Sequence, residues 1–252
     1  MKKSTSNKVL LKTLGIVLFI FIWQILSMII GEDTFIFPGP IVTFKQALVM
    51  LKESYIYNCI GQTMIRMLGG YALGFVLAFI IGVIAGNIPM FEELLKPTAI
   101  ILRSVPTATL VYFFLVAVGA RLTPLFIVVL VCFPILYENI VAGIKSTSNE
   151  IINASKIDNA SLLKRNMKIK IPLAFPYIVT GIASSFGLSL KIEIMAEVIT
   201  GYTRLGIGSA ILAAQRSDPT NMVPVFAYSL VAIVIMLAFD IFSEKLKEKY
   251  EK

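Results

Sequence analysis

Asn153-Ala154-Ser155-Lys156-Ile157-Asp158-Asn159-Ala160-Ser161, closed by Ile171-Pro172-Leu173-Ala174-Phe175-Pro176, is a polar and basic interruption in a chain made mostly of apolar runs. Several of those runs reach the ~20 residues a helix needs to cross a ~30 Å hydrocarbon layer, whereas barrel strands alternate over ~10 residues. The 252 residues are 57% hydrophobic and 15% charged, and the mean hydropathy is +0.85. Soluble domains average roughly 45–50% apolar and 25% charged residues. The reading is an all-α integral membrane protein with six transmembrane helices and one substantial loop, 145–171, on the inner side.

The spans are expected at about 9–30, 65–87, 98–119, 123–144, 172–199 and 223–243, bounded by turn residues, within a single transmembrane domain, 1–252. The first, which follows Lys2 and Lys3, has no small-x-small cleavage site behind it and is longer than a signal-peptide core, so it reads as an uncleaved span. Of the 23 Lys and Arg, fifteen fall on the side of both termini and of loop 145–171, and five on the other. By the positive-inside tendency both termini are cytoplasmic. The net charge of +8 gathers at span ends and not in a stripe on a soluble fold, which points away from nucleic acid and toward membrane orientation. Cys59 and Cys132 fall on opposite sides of a span boundary and read as packing residues.

Gly70, Gly74, Ala78, Gly82 and Gly86 recur at four-residue spacing, which lines one helical stripe with small residues that let another backbone approach. Gly181, Ser185 and Ser189 repeat the device in the fifth span. Intramolecular packing is the favoured reading of the stripe, over a subunit interface. Pro106, Pro134, Pro176 and Pro224 punctuate the spans and favour kinks.

Loop 145–171 carries its own helix signals. Thr147-Ser148-Asn149-Glu150 has the form of a capping box. Asn159 tolerates the left-handed backbone that ends a helix, and Ser161 can cap a second one bearing Leu162, Leu163 and Met167. Pro172 suits the first turn of the fifth span. The expected product is a helix-turn-helix elbow beneath the membrane.

The elbow resembles the "EAA" coupling motif of the binding-protein-dependent inner-membrane components, the permeases of ATP-binding-cassette importers. Asn153-Ala154-Ser155 stands for the Glu-Ala-Ala triplet, Asn159 for the following Gly and Pro172 for the Pro. Phe37-Pro38-Gly39-Pro40 resembles the Leu-Pro-Ser-Pro signature of the nitrate, sulfonate and taurine subfamily. Arg103-Ser104-Val105-Pro106 resembles its Arg-Pro-Ile-Pro segment, and Ala196-Glu197 followed by Leu205-Gly206-Ile207-Gly208 its Ala-Glu and Gly-Leu-Gly elements.

The resemblance implies a type I ABC importer permease fold, a homodimer, and a cytoplasmic ATPase docked on each coupling loop through Glu150, Asn153, Ala154, Ser155, Asn159, Ala160, Ser161 and Pro172. It further implies an extracytoplasmic binding protein and a bacterial cytoplasmic membrane. It implies no cofactor on this chain, ATP and Mg belonging to the ATPase. The substrates of the resembled group include nitrate, sulfonates, taurine, bicarbonate and vitamin precursors.

The absence of histidine excludes an HExxH zinc site, and neither a G-x-S-x-G elbow nor a phosphate-binding Gly-x4-Gly-Lys-Ser/Thr loop occurs. Lys191, Glu193 and Glu197 lie within the fifth span, where ionisable groups face protein or water; they are candidates for the translocation path. Glu193 and Glu197 share a helix face, whereas Lys191 points elsewhere. Arg103 and Glu138 have similar expected depth and could pair. The alternative function is an ion-gradient-driven secondary transporter that uses these membrane carboxylates.

Overall fold

Inside hydrocarbon every backbone N–H and C=O must bond within its own segment, so long apolar runs fold as helices. The computed structural model describes residues 2–30, 36–148, 150–153, 161–201 and 205–250. Its helices are α1 (Lys2–Ile30), α2 (Pro40–Met50), α3 (Ser54–Asn87), α4 (Pro89–Ser104), α5 (Thr107–Val118), α6 (Thr123–Lys145), α7 (Leu162–Arg165), α8 (Ile171–Thr200), α9 (Ile207–Ser217) and α10 (Val223–Tyr250). Residues 150–153 are also helical, and a π-helical segment, Asn166–Lys170, joins α7 to α8.

Five of these stretches are long and apolar enough to cross a membrane, and α4 with α5 add a sixth if that bent pair counts as one span. The stretch expected over 98–119 is a helix broken by 99° between α4 and α5. Pro106 explains the break: Val105, the residue before it, is held extended at φ −72°, ψ 128°, as the proline ring requires of its predecessor. Pro224, by contrast, stands in the first turn of α10, where no intrahelical donor is lost.

The chain forms two compact units, Met1–Asn58 with Ala210–Ile233, and Cys59–Ser209 with Val234–Lys252. In the first unit the Phe37-Pro38-Gly39-Pro40 segment turns the chain from α1 into α2. Trp23 Nε1 donates to the Pro38 carbonyl at 3.1 Å and Ser27 Oγ to the Phe37 carbonyl at 2.8 Å, while Pro40 opens α2. Phe226 packs edge-on against Phe37 with ring centroids 5.5 Å apart.

In the second unit α3, α6 and α8 enclose a core that includes Met67, Ala78, Val128, Cys132, Leu136, Ile140, Ile144, Ala174, Ile178 and Ala196. The small-residue stripe of α3 lies against α6. A β-carbon at Gly70 would come 2.6 Å from the Leu125 carbonyl oxygen, one at Gly82 2.9 Å from Ile140 Cγ2, and one at Gly86 2.7 Å from Ile144 Cβ. Other faces of α3 expose Ile65, Leu68, Val76 and Ile80. That inversion, small residues inward and large aliphatic ones outward, is how a helix in lipid gains packing contacts when the hydrophobic effect between helices is absent.

Candidate functional site

Two polar regions stand out in the second unit, one at the Thr200 end of α8 and one around the Lys145 end of α6.

At the first, Glu193 and Glu197 are both fully buried, one helical turn apart on the face that meets Arg66 of α3. Arg66 Nε donates to Glu193 Oε1 at 3.3 Å, and Arg66 Nη2 donates both to Glu197 Oε1 at 2.5 Å and to the Leu205 carbonyl at 2.7 Å. The Thr63 hydroxyl sits 2.9 and 3.0 Å from the two Glu197 oxygens and donates into that carboxylate. The opening turn of α9 completes the arrangement: Gly208 N–H donates to Glu197 Oε2 at 2.8 Å and Ile207 N–H to Thr63 Oγ1 at 2.9 Å. Glu197 is therefore an N-terminal cap supplied to α9 from another helix, where unpaired N–H groups and the helix dipole favour negative charge.

This geometry gives the Ala196-Glu197 and Gly206-Ile207-Gly208 elements a physical reason. A β-carbon at Gly206 would stand 2.6 Å from both Glu197 oxygens, and one at Gly208 would collide with the Ile194 carbonyl oxygen and lie 2.7 Å from Glu197 Cβ. Only a bare backbone approaches a buried carboxylate so closely. Lys191 is exposed on α8 and takes no part in the cluster. The sequence reading left Arg66 and Thr63 aside; the signal for Arg66 was an arginine inside a span, which requires a carboxylate partner.

At the second region α4 and α6 are joined by two ion pairs. Arg103 Nη1 pairs with Glu138 Oε2, the partnership their depth predicts, and Lys145 Nζ pairs with Glu92 at 2.8 Å. The elbow adjoins this region. The capping residue of its first helix is Ser148, not Thr147: Ser148 Oγ accepts from Ile151 N–H at 3.4 Å and its carbonyl accepts from Ile152 N–H at 3.2 Å. The Thr147 side chain is instead buried. Glu150 and Asn153 are exposed. Ala154, Ser155, Asn159 and Ala160 lie outside the described residues.

Ser161 caps α7 by accepting from Lys164 N–H at 3.3 Å. The elbow is not separated from the fifth span, as a helix start at Pro172 suggests, but runs into it through the π segment. Pro172 cannot donate to residue 168, and its ring crowds that carbonyl; the wider π turn immediately before it lets the helix continue. Lys170 Nζ donates to Asn87 Oδ1 at 2.8 Å, which fastens this junction to the end of α3. Helical structure thus extends unbroken over Leu162–Thr200, 39 residues, with the elbow at one end and the Glu193–Glu197 cluster near the other.

A broken span, glycine-lined packing of α3 on α6 and a continuous helix over Leu162–Thr200 describe a helical membrane protein. The sequence pattern of the binding-protein-dependent transport system inner membrane component family matches residues 74–252, and the chain belongs to that family, the permease components of ABC importers. It is 25% identical over 237 residues to the putative aliphatic sulfonates transport permease protein SsuC of Bacillus subtilis, covering 92% of this chain and 83% of that one. It is 24% identical over 242 residues to the nitrate import permease protein NrtB of a Synechocystis species, covering 92% and 86%. A solved chain of the MetNI methionine ABC transporter superposes with a TM-score of 0.64 at 14% identity, over 78% of this chain and 96% of that one. The fold is that of type I ABC importer permeases.

Proposed function

We propose that this permease moves a small solute, of the sulfonate, nitrate or related class, inward across a bacterial cytoplasmic membrane by alternating access. Two copies form the path, an extracytoplasmic binding protein delivers solute, and a cytoplasmic ATPase that carries the ATP and Mg docks on each 145–171 elbow. Both termini and the elbow are cytoplasmic in this reading, in keeping with the fifteen basic residues on that side against five on the other.

The observation that carries the reading is the continuity of elbow and span. A helix of 39 residues is about 58 Å long at ~1.5 Å per residue, so displacement of the elbow by nucleotide-driven closure of the ATPases reaches the Glu193–Glu197 end as rigid-body motion. Lys191, exposed on the same helix, is the member of the path candidates that meets solute, while Glu193 and Glu197 position α9 at the outer end. A gradient-driven relay through these two carboxylates is the weaker alternative, because both are engaged by Arg66.

Replacing Ala154 with Glu and Ser155 with Arg in the full chain tests the docking assignment. The expected result is loss of ATPase co-purification with the permease still folded and membrane-embedded; an intact complex contradicts the assignment.

A further inference from the structure

Apart from the buried cluster, two ionisable residues of the second unit stand on open faces of spans, Lys191 of α8 and Asp240 of α10. Both are exposed, and among the described residues neither has a hydrogen bond or an ion pair. Such a side chain is costly in hydrocarbon, and it is held by an opposite charge or faces a water-filled cavity. The packing of α8 on α10 brings the two near each other. Phe175 meets Tyr250 and Phe186 meets Phe239, with ring centroids 5.2 and 5.1 Å apart, so the helices run antiparallel in one register. The next residues along each chain are Gly187 and Asp240, and a β-carbon at Gly187 would collide with Asp240 Oδ1. Bare backbone is what admits that carboxylate. Lys191 is one turn further along α8 on the same side. Residues four apart on a helix have β-carbon positions about 5–6 Å from each other, and a helical side chain leans toward the turn before it. The Lys191 stem therefore starts within a side chain's reach of the Asp240 carboxylate. Ser184, also exposed, lies two turns before Lys191 on that face.

We propose that Lys191 and Asp240 form a two-charge recognition site on the solute path, which selects a solute carrying both an anionic and a cationic group over a plain anion. The inference rests on the transport reading above and adds Asp240 to it. The Lys191 ammonium receives the oxyanion of the solute, and the Asp240 carboxylate receives an ammonium of the same molecule. A plain anion is attracted by one group and repelled by the other, whereas a solute with both charges is attracted by both.

The test uses the full-length chain in nanodiscs, its Asp240→Asn and Lys191→Gln variants, and two probes of similar size, aminopropanesulfonate and propanesulfonate. Calorimetry reads binding and a thermal melt reads folding. The native chain is expected to hold aminopropanesulfonate about tenfold more tightly than propanesulfonate, the effect of one added hydrogen bond between charged groups. Asp240→Asn should remove that preference, and Lys191→Gln should weaken both probes by about tenfold. Binding of neither probe, equal binding of the two by the native chain, or a preference that survives Asp240→Asn overturns the proposal. So does a lowered melt in both variants with binding unchanged, which makes the two residues an internal ion pair. Should Asp240→Asn fail to fold, the preference of the native chain and the response of Lys191→Gln decide. Binding is read without nucleotide, so a permease that shows this preference yet takes up no solute with its ATPase upholds the recognition site and overturns the transport reading alone.

Discussion

The Arg66–Glu193–Glu197 cluster and the α4–α6 ion pairs use the same chemistry to opposite ends. In the first, both carboxylates are fully buried, the guanidinium is 17% exposed, and glycine backbone closes the remaining space. In the second, Arg103 and Glu138 are 54% and 42% exposed, and among the described residues no backbone group joins the pair. A buried charge that loses its partner is left enclosed and uncompensated, whereas one on the molecular surface is free to reorient. The cluster is therefore a fixed joint among α3, α8 and the start of α9, and the α4–α6 pairs are surface contacts between two helices.

The largest effect expected from this contrast is that of Arg66→Ala. It strands two buried carboxylates and should destabilise the fold by about 3–5 kcal/mol, seen as a lowered unfolding temperature of the purified permease; an unchanged melt would make the two regions equivalent. Gly208→Val comes next. Its side chain would push into the Ile194 carbonyl and Glu197, and overpacking of this kind costs about 1–3 kcal/mol; the same melt should show a smaller loss, with Gly206→Val close behind. Arg103→Gln should cost less than Arg66→Ala, because it leaves one carboxylate at the molecular surface and not two enclosed ones, so a loss as large as that of Arg66→Ala would erase the distinction.

The smallest effect belongs to Asp218, a fully exposed group between α9 and α10. Hydrogen bonds from the Thr220 hydroxyl and backbone N–H hold its carboxyl below the ordinary aspartate value. A folded-state value that is depressed favours the fold at neutral pH. That contribution is lost as pH falls from the unfolded value, ~3.9, through the lowered one. Carboxyl titration by NMR should show the depression, and Thr220→Val, which removes the hydroxyl donor and keeps the backbone one, should reduce it.

The apolar runs announced α1, α3, α6, α8 and α10 because a helix in hydrocarbon needs only length and uniform hydropathy. Pro106 likewise pointed to the break in the third span. Where α4 begins was harder to read: Glu92, Glu93 and Lys96 give 89–97 the polarity of a loop, yet they alternate with Phe91, Leu94 and Leu95 at helical spacing. The start of α7 was legible through Ser161, since capping is a local signal. Its fusion with α8 was not, because a π turn has no residue signature. Least visible was the cluster. Glu193 and Glu197 stood out as charges within a span, but their partner Arg66 lies 127 and 131 positions away, and only the folded packing of α3 against α8 brings it near. Glu197 read as a path residue because sequence shows the cost of a buried charge without showing what compensates it.

The most direct test of the account is solute uptake by vesicles containing the permease with and without its ATPase, in the presence of the binding protein and an imposed ion gradient. The account predicts accumulation only when the ATPase and ATP are both present, at a rate indifferent to the gradient. Accumulation by the permease alone, driven by the gradient, would contradict it.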